Sequence, residues 1–191
     1  MPTPPWPAPE GPVYLPLRLF PAQAAILAHP ARYKVVAKGR RFGMTRGKAL
    51  HLIHQGLAGT LRRALWVDTA YANIERYVQR YFLPVLQRLP TGGKPPLWQW
   101  KSSLKLLRIG EMEVDFRSAD RPQNIEGFAY DDVFLNEAGI ILRDRYLWAH
   151  AIRPMLLDYR SPALIAGTPK GKNLFAELYA HAETEAATDW V

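Results

Sequence analysis

The sequence predicts an α/β fold, a mostly parallel sheet with helices on both faces. Three observations predict it. Short, β-rich apolar runs alternate with segments of helical periodicity, the pattern of strands joined by crossover helices. Most of those runs are apolar throughout rather than alternating, as strands buried on both faces are. Polar and glycine-rich motifs follow directly on the runs, at the carboxyl ends of strands, where open α/β sheets carry their sites.

Residues 1–18 open with MPTPPWPAPEGP and read as a Pro-rich, extended arm without the basic and apolar regions of a secretory signal. Residues 19–191 are assigned to one domain, a size within the common range. Tyr33 to Ala37 (YKVVA) is the first strand; a basic, Gly-rich turn over Lys38 to Thr45 follows, then a helix from Thr45 to Gln55 stopped at Gly56. Ala64 to Val67 is a second buried strand. Ala72 to Leu89 is an amphipathic helix broken or kinked near Pro84, and Pro90 to Pro96 is a loop. Leu104 to Arg108 and Glu111 to Arg117 form a hairpin, the second run alternating cleanly so that one face is wet. Val133 to Leu135 is a short buried strand, Tyr146 to Leu157 a helix, Ala163 to Ala166 a buried strand and Asn173 to His181 a final helix.

Composition narrows the function classes. No apolar run approaches the ~20 residues of a membrane span. Cysteine is absent, which removes disulfides and thiolate metal sites. The net charge of +8, with Arg as 17 of 25 basic residues, suits a polyanion such as nucleic acid; solubility or arginine-rich coding accounts for charge alone equally well. Few Asn, no Cys and 17 Pro fit a thermophilic source.

Three motifs carry chemistry. Lys38-Gly39-Arg40-Arg41-Phe42-Gly43-Met44-Thr45 lies between a strand and a helix, the context of a phosphate-binding loop. Gly43 permits a tight turn with inward-pointing N–H groups, the helix presents its positive end to the same anion, and the Thr45 hydroxyl can ligate magnesium. Lysine normally precedes that Thr; here Met44 stands there. Lys38, at the opposite lip, is the leading candidate to neutralise the phosphates, with Arg40, Arg41 and Arg46 as competitors. A lysine placed at position 44 is expected to take over part of that role.

The second motif, Asp132-Val133-Phe134-Leu135-Asn136-Glu137, has the form of a Walker B strand: the first polar residue holds magnesium through water and the Glu activates the attacking water. Asn136 replaces the usual Asp. Asp132 cannot substitute, being about 13 Å away along a strand rising ~3.3 Å per residue. The third, Gly167-Thr168-Pro169-Lys170-Gly171, puts a small polar residue at a strand end, where it can sense the γ-phosphate or the lytic water. His51 and His54, three apart on a helix, are expected to be structural, as there is no third ligand. Trp98 and Trp100 are expected to pack rather than stack on bases. Asp68-Thr69 ends the second strand near the nucleotide or DNA but is given no role.

Gly39-Arg40-Arg41-Phe42-Gly43 followed by Thr45 resembles the GRRxGK[ST] loop of viral terminase large subunits. Leu19-Phe20-Pro21-Ala22-Gln23 resembles the family segment whose Gln contacts adenine. Asn124-Ile125-Glu126-Gly127 resembles a segment that often reads L-R-G. Asn136-Glu137-Ala138 resembles the Walker B ending, and Gly167 to Asn173 resembles the coupling motif G-T-P-K-G-K-N. The set covers roughly Leu19 to Phe175. It implies a P-loop NTPase fold (ASCE/RecA-like) and an ATPase motor domain of tailed-phage type that hydrolyses ATP with Mg2+ to translocate double-stranded DNA into a procapsid. Glu137, Thr168 and Arg41 are then the catalytic candidates. Gln23, Lys38, Gly39, Arg40, Arg41, Phe42, Gly43, Met44, Thr45 and Arg46 bind nucleotide, and Thr45 and Asn136 serve the metal.

The resemblance further implies a ring of subunits, a pentamer, on the portal protein, DNA delivered by a small terminase subunit, and a host-cytoplasmic setting with no membrane. Some members displace the loop Lys to its start, where Lys38 stands. Glu126 occupies the place of a trans-acting arginine; Arg117, Arg121 and Arg143 are fallbacks. The family's nuclease domain is not expected in this chain. The alternatives are a helicase-like P-loop ATPase, for which a second RecA-like domain is not visible, and a non-hydrolysing DNA-binding or scaffold module, which Met44 and Asn136 favour.

Overall fold

A computed structural model describes residues 18–89, 96–184 and 189–191. The Pro-rich arm and the loop near Pro90 therefore lie almost wholly outside the described residues. The strands are β1 (Tyr33–Ala37), β2 (Arg63–Asp68), β3 (Trp98–Lys101), β4 (Leu106–Ile109), β5 (Met112–Ser118), β6 (Asp132–Asn136) and β7 (Ala163–Gly167). The α-helices are α1 (Pro21–Ala28), α2 (Met44–Ala58), α3 (Tyr71–Tyr77), α4 (Leu83–Leu86), α5 (Ala138–Ile141), α6 (Arg153–Tyr159) and α7 (Leu174–Thr184).

The strands form one sheet in the order β1-β7-β6-β2-β5-β4-β3. From β1 to β5 every pairing is parallel, and β4 and β3 extend the edge antiparallel. The expected hairpin is thus β4–β5, but β5 is also the bridge into the parallel sheet, paired in register with β2 from Arg63↔Glu113 to Asp68↔Ser118. Its buried residues alternate (Met112, Val114, Phe116, Ser118), as its sequence pattern requires.

Uninterrupted apolar strands feed two cores. Leu65, Val67, Val133, Leu135 and Ile165 pack with Trp148, Leu156, Phe175 and Leu178 on one face. Ala64, Trp66, Phe134, Leu164 and Ala166 pack with Leu52, Ile53, Ile74 and Phe82 on the other. Trp66 is the keystone of the second core, with Phe82, Phe116 and Phe134 all within 5.7 Å of its ring. A fully buried side chain of this size contributes on the order of 3 kcal/mol, and truncating it to Ala costs about 3–5 kcal/mol. Trp98 and Trp100 pack against this same core, as expected of them.

Two helical segments are interrupted, the first near Pro84 as expected and the second, expected to be continuous from Tyr146 to Leu157, near Pro154. Between Tyr71 and Leu86 the chain forms α3, a π turn over Val78–Phe82, then α4. Another π turn, Leu147–Ile152, precedes α6. Each leads directly toward a proline, Pro84 and Pro154. A proline ring presses on the carbonyl four residues back and offers no N–H, and a widened turn relieves both. The short elements α1, α5 and the 3₁₀ turn Pro122–Ile125 have no sequence period to announce them. At the β1 edge, Trp190 stacks on Tyr33 at 4.5 Å and forms an isolated bridge with it.

Candidate nucleotide site

The three motifs converge at the carboxyl edge of the sheet. β1, β7 and β6 are neighbours, so the segments leaving them meet around one cleft of about 390 Å³, a volume suited to a small ligand. Lys38, Arg40, Arg41, Phe42, Gly43, Met44, Thr45 and Arg46 line it from the loop, Glu137 and Ile140 from the β6 exit, Thr168 and Lys170 from the β7 exit. Five cationic side chains thus surround one carboxylate, a balance that favours a polyanion. Two other cavities, of about 230 and 460 Å³, include none of these residues.

The loop is built locally. Lys38 N–H donates to the Gly167 carbonyl at 2.9 Å, so the strand pairing carries into the loop. Arg41 and Gly43 both take left-handed backbone, with φ of 67° and 79°. Gly43 is required twice over: its φ is costly for other residues, and a Cβ there would lie 2.9 Å from Gln23 Nε2. α2 begins at Met44 with no acidic residue in its first turn, so its free N–H groups and positive end face the cleft.

Met44 itself differs from expectation. Its side chain is fully buried among the α2–α3 core residues; only its backbone can serve phosphate. A lysine at 44 would have to place an ammonium in that core, so it would not stand in for the missing loop lysine. Gln23 is likewise turned inward. It is 1% exposed, accepts from Phe20 N–H at 3.1 Å and donates to the Phe42 carbonyl at 2.7 Å. It starts α1 and braces the loop from behind, and both ends of its amide are engaged within the protein. Gly39 sits exposed on the outer lip, outside the cleft lining. Arg46, also exposed, donates to the Arg18 carbonyl at 3.1 Å.

Lys38 Nζ donates to Glu137 Oε1 at 3.2 Å, with the lysine side chain 8% exposed. One of its three N–H donors is thereby spent on the carboxylate and the others are open to a ligand. Glu137 has φ 54°, a conformation costing a non-glycine residue roughly 1–2 kcal/mol; strain of this kind collects at working sites. The turn after Glu137 is tight against β7. A Cβ on Gly139 would lie 2.1 Å from the Thr168 carbonyl, and Asn173 donates to the Gly139 carbonyl at 2.9 Å. The Glu137 and Thr168 segments are therefore packed directly against each other.

Behind the cleft, Thr45 Oγ1 donates to Asn136 Oδ1 at 3.1 Å, and Asn136 Nδ2 donates to Asp68 Oδ2 at 2.6 Å. Thr45 and Asn136 could offer magnesium two neutral oxygens beside the phosphates, in keeping with its preference for oxygen and for partial protein ligation. Among the described residues no three His, Asp or Glu side chains gather as a metal site. Asp68 was the residue whose role the sequence left open. The signal is positional: it ends β2, the strand next to β6. Tyr77 and Tyr81 also line the cleft, stacked with centroids 6.0 Å apart, and no motif marks them. Burial, reinforced by the charges of Asp68 and Glu137, pushes the Tyr77 hydroxyl up to about 12.

The remaining candidates lie elsewhere. Arg117 is paired with Asp115 at 2.8 Å and lines a different cavity, while Arg121 and Arg143 are exposed. Glu126 accepts from the Tyr146 hydroxyl at 2.8 Å. His51 is half-buried at the opposite end of the sheet, in a cavity with Lys48 and Asp132, where those two form a buried ion pair. Among the described residues no helix is long and apolar enough to cross a membrane.

No protein-family profile matches the chain. Over 72 residues it is 42% identical to the large terminase subunits of Thermus phage G20c and Thermus virus P23-45, a segment covering 38% of this chain and 14% of each relative. Its structure superposes on the large terminase ATPase domain of Thermus phage P74-26 with a TM-score of 0.71 and 25% identity, over 85% of this chain and 69% of that one. The large terminase of bacteriophage HK97 shares the fold, with a TM-score of 0.72 and 18% identity over 94% of this chain and 40% of that one. Over the matched 72-residue segment the chain is thus similar in sequence to phage terminase large subunits, and its structure has the P-loop NTPase-like fold of phage large terminase ATPase domains.

Proposed function

We propose that residues 19–191 act as the ATPase motor domain of a terminase large subunit, hydrolysing ATP to drive double-stranded DNA into a viral procapsid. The observation that carries this is the meeting of Lys38, Thr45, Glu137 and Thr168 at one cleft, with Glu137 held 3.2 Å from Lys38. The loop amides and the α2 terminus bind the phosphates, and Lys38, with Arg41 as its rival, compensates their charge. Thr45 and Asn136 would hold magnesium beside the phosphates, where it would offset the charge that develops on them.

Glu137 takes a proton from water as the water oxygen bonds to the γ-phosphorus. The bond from that phosphorus to the bridging oxygen breaks, and ADP carries away the electron pair. Thr168 sits where it can register the loss, and the tight Gly139–Thr168 contact passes it on. DNA would be gripped through backbone phosphates by the basic surface. The resemblance supplies the setting: a pentameric ring on a portal, a small subunit delivering DNA, and a host cytoplasm.

Single-turnover hydrolysis of radiolabelled ATP, with duplex DNA present, tests the reading. Hydrolysis by the wild type, lost in Glu137→Gln while ATP binding persists, supports it. A chain that binds DNA but no Mg–ATP at any concentration is a DNA-binding module instead.

A further inference from the structure

Asn136 poses a problem that the proposed function leaves unsolved. A triphosphate and its metal need charge on the Walker B strand, and Asn136 brings none. The cleft lining holds a single carboxylate, Glu137, already assigned to the water. The structure offers another carboxylate one strand away.

Asp68 lies one step beyond the Val67↔Leu135 pair of β2 and β6, beside Asn136. Both are fully buried. Asn136 Nδ2 donates to Asp68 Oδ2 at 2.6 Å, so the amide can point only one way, with Oδ1 toward the Thr45 hydroxyl at 3.1 Å. Every other contact of Asp68 is a donor aimed at it: Thr69 N–H at 2.7 Å, Thr69 Oγ1 at 3.2 Å and Trp66 Nε1 at 3.4 Å. Such a donor-only environment is what an ionised carboxylate requires; burial pushes the Asp68 carboxyl up, and these donors work against that push. A carboxylate on the NH2 side of an amide polarises it and concentrates negative charge on the carbonyl oxygen, and in a buried chain of hydrogen bonds that effect is strengthened.

We propose that Asp68 supplies from β2 the negative charge that Asn136 lacks on β6, so that magnesium is served by a carboxylate–amide pair shared between two strands. The assignment rests on the Mg–ATP reading above. Asn136 presents the oxygen; Asp68 orients it and makes it a better donor, the task of an outer-shell partner. The same chain of contacts continues to Thr45, so the metal-side oxygens of loop and strand are fixed together. Asp68 is a positioning residue, acting only through Asn136.

Calorimetric titration of ATP with magnesium, and again with chelator, measures how much the metal tightens binding. Asp68→Asn is expected to cut that enhancement, the ratio of the affinities with and without metal, about 10–100-fold, the usual effect of losing an outer-shell partner. The exchange Asp68→Asn/Asn136→Asp returns the carboxylate to β6 and is expected to restore the enhancement. Full enhancement in Asp68→Asn would overturn the assignment, as would an exchange variant that folds yet shows none. Should Asp68→Asn not fold, the exchange variant alone decides. Absence of magnesium-dependent binding in the wild type would overturn the parent reading and this assignment with it, an outcome distinct from a wild type that responds and a variant that responds equally.

Discussion

Lys38→Ala is the perturbation that probes the loop most sharply. Lys38 is nearly enclosed and holds Glu137 at 3.2 Å. At that distance the gross attraction is about 5 kcal/mol for an effective dielectric of ~20, most of it offset by desolvation. What a bound triphosphate would lose is one charge-assisted contact, about 1.5–3 kcal/mol, or roughly ten- to a hundredfold in affinity. The same substitution leaves Glu137 without its partner, facing the γ-phosphate, which weakens ATP further. Two outcomes follow for calorimetry with ATP and AMP. Lys38→Ala weakens ATP by at least tenfold and AMP much less, since AMP lacks the phosphates concerned. Adding Glu137→Gln to Lys38→Ala recovers part of the loss, because the orphaned carboxylate is gone; the two effects are coupled, not additive. Equal ATP affinity in wild type and Lys38→Ala would refute the reasoning and move the role to Arg41.

Four further outcomes are expected. Glu137→Gln alone loses at least ~100-fold in single-turnover hydrolysis but keeps or gains ATP affinity, because Lys38 is released to the phosphates; near-native turnover would place the base elsewhere. Met44→Lys destabilises by about 2–5 kcal/mol through burial of an ammonium, visible as a lowered urea midpoint, and does not rescue Lys38→Ala; a rescue would mean the α2 start repacks. Burial, then the Lys48 charge, lowers the His51 pKa from 6.5 to about 4 in the fold. The protein therefore prefers neutral His51, and stability present above pH 6.5 is lost as pH falls toward 4. Relative to His51→Leu the wild type should lose on the order of 2–3 kcal/mol across that window; parallel urea midpoints in the two proteins would contradict this. Duplex DNA is expected to bind without sequence preference and with affinity falling steeply with salt, so a salt-independent fluorescence titration would remove the electrostatic grip.

The legible part of the fold was its strands. β2, β6 and β7 are largely apolar on both faces because both faces are buried, while the edge strand β1 buries one face and carries Lys34 on the other. The motifs were legible because each follows a strand directly, and neighbouring strands must bring their exits together. The illegible part is where side chains turn. Met44 carries the position of a phosphate-loop lysine, but its direction is set by the start of α2, which points it into the core. Gln23 reads as a ligand contact until its partners Phe20 and Phe42 are seen. Tyr77 and Tyr81, four residues apart, share a face as a helical period requires, but only the fold brings that face to the phosphate loop. Asp68 sits 68 residues from Asn136 in the chain, and only the order of the sheet makes them neighbours.

The most direct measurement is a crystal structure with a non-hydrolysable ATP analogue and magnesium. The triphosphate should lie along residues 38–45, with the metal beside Thr45 and Asn136 and with Glu137 facing the γ-phosphate. An analogue seated instead in the cavity of Lys48 and His51, or absent from the loop at saturating concentration, would contradict the claim that this cleft is an ATPase site.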